Sequence, residues 1–100
     1  MMEEKLMVEY FYDYIKVSVN EESVICAFIE ETDGTAITTN CDFTLYDEEG
    51  NIIYTVNGEY IGEMGYWGFA VPAITEPGKY FYTVGNNGVD LNFKTPYYVV

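Results

Sequence analysis

The sequence has no histidine and no arginine, and its four lysines face 17 acidic residues, giving a formal net charge of −13. Each shortage excludes something. Binding along a nucleic-acid backbone requires many phosphates to be neutralised, and four lysines neutralise few. Anionic membrane surfaces are disfavoured for the same reason. Without histidine, the commonest general base and the commonest transition-metal ligand are both missing. No segment approaches the ~20 apolar residues that span a bilayer. Glu3, Glu4 and Glu9 interrupt the first residues, so a secretory signal is not expected. The expectation is a complete product made in a cytoplasm, with no membrane partner. The two cysteines, Cys26 and Cys41, are sparse. Two readings stand: small buried hydrophobes in a reducing compartment, or a disulfide across adjacent strands. A catalytic thiol lacks a histidine to activate it.

What is present argues for a packed fold. The chain has 100 residues, 49% hydrophobic and 18% aromatic, far from a disordered composition despite the charge. One domain over residues 1–100 is expected. No stretch keeps a helical period. Val, Ile, Thr, Tyr and Phe are abundant, and Gly, Asn and Asp punctuate them at short intervals.

The first strand region runs from about Leu6 to Val19, as one bulged strand or as two pieces broken near Asp13. Ile15, Val17 and Val19 alternate with Lys16 and Ser18, a period-two pattern with one buried face. The second strand, Ser23 to Glu30, is apolar on both sides, as expected for a central strand with both surfaces covered. The third, Cys41 to Tyr46, turns Cys41, Phe43 and Leu45 one way. A hairpin over Asp47 to Asn51, with Gly50 at the positive-φ position, leads to a fourth strand from Ile52 to Val56. The fifth, Tyr66 to Val71, puts Trp67, Phe69 and Val71 on the core side. The sixth, Lys79 to Val84, is followed by a tight turn over Gly85 to Gly88. The seventh begins at Val89, with Val89, Leu91 and Phe93 on one face. Pro96 breaks it, and Tyr97 to Val100 continue it at an edge. Seven short strands with turns at this spacing predict an all-β fold, a seven-stranded antiparallel immunoglobulin-like β-sandwich.

Three strings in the second half go further. Phe43, Leu45, Asp47 and Gly50 form an F-x-L-x-D-x-x-G strand and hairpin. Pro77, Gly78, Tyr80, Tyr82 and Val84 form a P-G-x-Y-x-Y-x-V strand. Pro96 to Val100 form an apolar ending, and Asp33-Gly34 supplies the preceding turn. From Val24 to Val100 the chain resembles the immunoglobulin-like modules of bacteriophage tail and baseplate proteins, such as the N-terminal domain of the upper baseplate protein. That resemblance implies a non-enzymatic structural component of a virion: a head decoration, head–tail or baseplate protein. Its partners would be other virion proteins, or copies of itself, and its location the particle.

No residues stand out as catalytic, cofactor-binding or metal-ligating. The acidic loops at Glu30 to Asp33 and Asp47 to Asn51 lack the D-x-[DN]-x-[DN]-G pattern of an EF-hand, and read as solvated tips. Trp67 reads as core. Tyrosine is the sharper signal, because eleven in 100 residues exceed what a small core needs. Tyr10, Tyr12 and Tyr14 share a face, and Tyr97 and Tyr98 follow Pro96. These six residues are the candidate protein interface; the competing reading is that the rings only cover the sheet. Two other functions fit the charge. One is a small acidic phage-encoded inhibitor, of anti-CRISPR or anti-restriction type, that occludes a nucleic-acid-binding enzyme. The other is a bacterial surface adhesion module.

Overall fold

The computed structural model describes residues 6–9, 14–62 and 65–100. Those residues form ten strands: β1 (Leu6–Glu9), β2 (Ile15–Val17), β3 (Ser23–Glu31), β4 (Cys41–Tyr46), β5 (Ile52–Asn57), β6 (Glu59–Tyr60), β7 (Tyr66–Val71), β8 (Gly78–Asn86), β9 (Val89–Asp90) and β10 (Thr95–Val99). The four-stranded sheet has the order β1-β3-β7-β6. The six-stranded sheet has the order β2-β10-β8-β4-β5, with β9 paired to β8. This is an all-β, immunoglobulin-like sandwich. The seven expected strands are all present, two of them divided, and the short β6 is added. One pairing departs from the antiparallel expectation: β2 runs parallel to β10.

The alternation read from the sequence decides the core. Each strand turns successive side chains to opposite faces. Phe43, Leu45, Tyr82, Val84, Tyr97 and Val99 of the larger sheet therefore meet Ala27, Ile29, Trp67, Phe69 and Val71 of the smaller one, all nearly or fully buried. Phe43 sits at the centre. Its ring stacks on Tyr82 at 5.1 Å and 7°, and meets Tyr97 and, across the sandwich, Phe69, each at 6.0 Å. Burying such side chains supplies about 1.5–3 kcal/mol each. The crossing from β3 to β4 is tied down by a polar contact: the Trp67 indole N–H donates to the Ile37 carbonyl at 2.7 Å. Gly65, at φ 83°, lies so close to Ile29 that a Cβ there would collide with the Ile29 carbonyl oxygen.

Of the two readings of Leu6 to Val19, the broken one holds: it is two strands, and they lie in different sheets. Four expectations need correction. β3 is central, with β1 and β7 as neighbours, but among the described residues its outer side is not fully covered, and Val24 is 69% exposed. β8 runs on to Asn86, and the turn is Asn87-Gly88, both at positive φ as a tight two-residue hairpin requires. Phe93 does not follow the inward alternation; it stands in a loop. β10 includes Pro96 and lies between β2 and β8, not at an edge. The proline is tolerated because pairing with β2 begins only at Tyr97, leaving Pro96 without a β2 partner.

Cys26 is partly exposed on the outside of the smaller sheet, and Cys41 is buried in the larger one; both are free thiols. They stand on strands of different sheets, so no cross-strand disulfide links them. Burial pushes the Cys41 thiol up to about 11, which leaves almost no thiolate at neutral pH.

The Trp67 contact gives a direct test of the crossing. Trp67→Phe removes the only indole donor and orphans a buried carbonyl. It should lower the unfolding free energy by about 2–3 kcal/mol in a urea titration followed by far-ultraviolet circular dichroism. A change below about 0.5 kcal/mol, the usual range for surface changes, would show that the crossing does not depend on this bond.

Candidate functional site

The side chains that do not enter the core form the outer face of the six-stranded sheet. Strand register orders them in rows. Lys16, Tyr98 and Lys79 lie side by side across β2, β10 and β8. Pro96, Phe81 and Tyr46 form the next row across β10, β8 and β4. Tyr14 joins this face from the start of β2, its ring edge-on to Tyr98 at 5.8 Å. Thr83, Thr44 and Thr55 follow. Their hydroxyls are used locally: Thr44 bonds Thr55 at 3.3 Å, and Thr83 bonds the Tyr46 hydroxyl at 3.2 Å. Asp42, beside Gly85, and Asp90, opposite Gly85 on β9, close the far end.

Charge is distributed unevenly over this face. Lys16, Lys79 and Lys94 are the lysines among the described residues, and all three lie here. Lys79 Nζ stands 5.3 Å from the centre of the Phe81 ring, and Lys94 Nζ stands 4.2 Å from that of Tyr46. Such contacts contribute about 0.5–1 kcal/mol at exposed sites, less than one buried core side chain. They therefore orient the lysines rather than hold the fold. At the opposite end, burial first and the neighbouring Asp90 charge second raise the Asp42 carboxyl above its ordinary value of 3.8.

Beside the face stands a single projecting aromatic. Phe93 is 93% exposed, yet its loop is well tied. Asn92 Oδ1 accepts from the Val84 N–H at 2.7 Å, and Asn92 Nδ2 donates to Thr95 Oγ1 at 3.1 Å. The Thr95 hydroxyl donates to the Phe93 carbonyl at 2.8 Å, and the Leu91 N–H donates to the Val84 carbonyl at 2.8 Å. An exposed ring on a hydrogen-bonded loop is presented at little ordering cost to a partner.

The six candidate interface residues separate into three groups. Tyr14, Pro96 and Tyr98 come together on this face. Tyr97 does not: it is 1% exposed and packs on Phe43 and Tyr82, so its ring is unavailable to a partner. Adjacent residues of a strand point to opposite faces, so Tyr97 and Tyr98 cannot share one role. Tyr10 and Tyr12 lie outside the described residues. Phe81, Tyr46, Phe93 and the lysines were not among the six. Alternation marks Phe81 as outward, but only register brings it beside Pro96.

The acidic loops spend their carboxylates on themselves. Asp47 accepts from the Glu49 and Asn51 N–H groups at 2.9 and 2.8 Å, and Asp33 accepts from the Thr35 N–H at 2.9 Å. The Asn51 N–H is the largest influence holding Asp47 below its ordinary value, and the Thr35 N–H acts likewise on Asp33. Among the described residues, no group of three or more Cys, Asp or Glu is placed to hold a metal.

No protein-family model matches the sequence, and no curated protein does. Solved structures do match in fold. The Lin-41 filamin domain superposes with a TM-score of 0.71 at 13% identity, covering 95% of this chain and 91% of that one. Domains 4 and 5 of the S-layer protein SbsC match at 0.59 and 17% identity, covering 97% of this chain and 51% of that one. The Yersinia pseudotuberculosis adhesin InvE matches at 0.59 and 15% identity, covering 96% of this chain and 26% of that one. At these identities the likeness establishes the immunoglobulin-like fold alone.

The acidic end of the face carries its own test. Asp42 has a raised folded-state value, so its contribution is most favourable below pH 3.8 and is lost as pH rises through that raised value. At pH 7 the part-buried Asp42 charge, and secondarily its repulsion from Asp90, therefore opposes folding. Asp42→Asn should raise the thermal midpoint at pH 7 by about 1–4 °C, and the gain should vanish near pH 3. A lowered midpoint at pH 7 would contradict this cost of the Asp42 charge.

Proposed function

We propose that this chain is a non-enzymatic protein–protein contact module and that it docks through the outer face of the six-stranded sheet. The observation that carries this reading is the convergence of Tyr14, Tyr98, Pro96, Phe81 and Tyr46 on one face, with Phe93 held out beside them. Aromatic side chains bring large contact area at modest entropy cost and are enriched in interface cores. The lysines support the same face. On a molecule of charge −13, they mark a patch where an approaching surface meets less repulsion.

The finer reading is a structural component of a phage particle, in a head decoration, head–tail or baseplate position, contacting other particle proteins. The tail- and baseplate-like strings between Val24 and Val100 support it. Cell-surface adhesion is a second reading, favoured by the fold likeness to an adhesin and an S-layer protein. The inhibitor reading has less support. A mimic of nucleic acid needs carboxylates in rows, whereas here many acids stand in or beside turns: Glu21 and Glu22, Asp33, and Asp47 to Glu49.

Mass spectrometry of purified particles from the source lysate tests the finer reading. The chain should be present in them, and its absence would overturn the virion role. The face is tested by the double variant Phe81→Ser and Tyr98→Ser. Incorporation into particles should fall by about ten-fold or more, while the fold is retained by circular dichroism. Undiminished incorporation would remove this face from the contact.

A further inference from the structure

A separate feature lies at the edge of the same sheet. β5 pairs with β4 on one side only, and none of its residues 52–57 makes a backbone hydrogen bond outside that ladder among the described residues. An open edge presents alternate N–H and C=O groups to any extended chain. Proteins guard such edges with charge, proline, bulges or brevity. The other edges here are guarded. β2 has three residues with Lys16 in the middle, β6 has two and begins with Glu59, and β1 has four and ends in Glu9. β5 reads IIYTVN, six residues without charge, proline or glycine. The β4 register passes from Ile52 to Tyr54, so β5 carries a bulge at Ile53 near its start, and Tyr54 to Asn57 pair regularly. Ile52 and Ile53 are 62% and 40% exposed, and Thr55 and Asn57 are exposed as well.

The surroundings of this edge specify what can pair with it. The hairpin before β5 carries Asp47, Glu48 and Glu49, and Glu59 follows it. Acids therefore bracket an uncharged strand of about 20 Å. A second copy is a poor occupant. Antiparallel self-pairing would bring Asp47 to Glu49 of one copy toward Glu59 of the other, and parallel pairing would set hairpin against hairpin. Both add like-charge repulsion to that between two bodies of charge −13.

We propose that the free edge of β5 is a strand-addition site for an extended segment of another protein, with a short alternating β-branched core flanked by Lys or Arg. Backbone hydrogen bonds to β5 supply affinity, and the acids at both ends select basic flanks. The net negative charge also acts as a gatekeeper, keeping the open edge from pairing with its own copies. The site is independent of the aromatic face.

The test uses the full chain and defined synthetic peptides. Peptide KKVTVTVKK should shift the amide resonances of Ile52–Asn57 and slow their hydrogen exchange. The flank-reversed EEVTVTVEE and the core-deleted KKGSGSGKK should each bind about ten-fold more weakly or worse. Two N-methylated versions of KKVTVTVKK separate strand addition from loose charge attraction. One carries the methyl groups on the valines, the other on the threonines. Because alternate amides face the partner strand, one of them should lose binding at least about ten-fold and the other should not. The variant Phe81→Ser with Tyr98→Ser should bind the peptide unchanged, so failure of the aromatic face and failure of this edge are distinguishable. Equal binding of both N-methylated peptides to the parent, or shifts centred on β2 or β1, would overturn the proposal. Concentration-dependent self-association mapping to β5 would overturn the choice of partner.

Discussion

Phe43 is the residue on which the rest of the structure depends. Its ring is fully buried, stacked on Tyr82, set edge-on to Tyr97 and faced by Phe69 from the opposite sheet. Those contacts fix which side of β4, β8, β10 and β7 points inward. Because the side-chain period of a strand is two, a slip by one residue would turn every outward side chain into the core. The packing of one ring thus determines that Phe81, Tyr98 and Pro96 reach solvent together. The composition of this outer face is a consequence of the core.

The same logic organises the charge. Many acids occupy turns, where Asp47 and Asp33 use their carboxylates to close the backbone. β5, β7 and β10 carry no charge at all. Lys79 and Lys94 rest on rings rather than on carboxylates, and Lys16 lies in register with Tyr98. The outcome is a molecule that repels its copies at long range yet, among the described residues, gathers its cations beside part-exposed rings on one face. Where strand edges would otherwise be sticky, residues such as Lys16 and Glu59 stand guard; β5 carries no charge and has only its bulge at Ile53.

Much of the fold was legible because its signals were local. The β4 and β7 boundaries, Cys41 to Tyr46 and Tyr66 to Val71, match the alternation read from the sequence, and Gly50 adopts the positive φ the hairpin needed. What escaped was set by non-local pairing. Pro96 reads as a breaker, but with no β2 residue opposite it the proline fits within β10. Val24 and Phe28 read as buried by their hydrophobicity, yet among the described residues both are exposed on the outer face of β3. Tyr97 and Tyr98 were grouped as neighbours, although adjacency in a strand means opposite faces. Of the candidate site, Tyr14, Pro96 and Tyr98 were visible. The company of Phe81, Tyr46 and the lysines depended on register that no local pattern encodes.

The central claim is that the outer face of the six-stranded sheet is the surface this chain buries when it works. Lysine acetylation followed by mass spectrometry tests it most directly, because Lys16, Lys79 and Lys94 all stand on that face. The three should be labelled readily in the isolated chain and protected together in its native assembly. Equal labelling in both states would contradict the account.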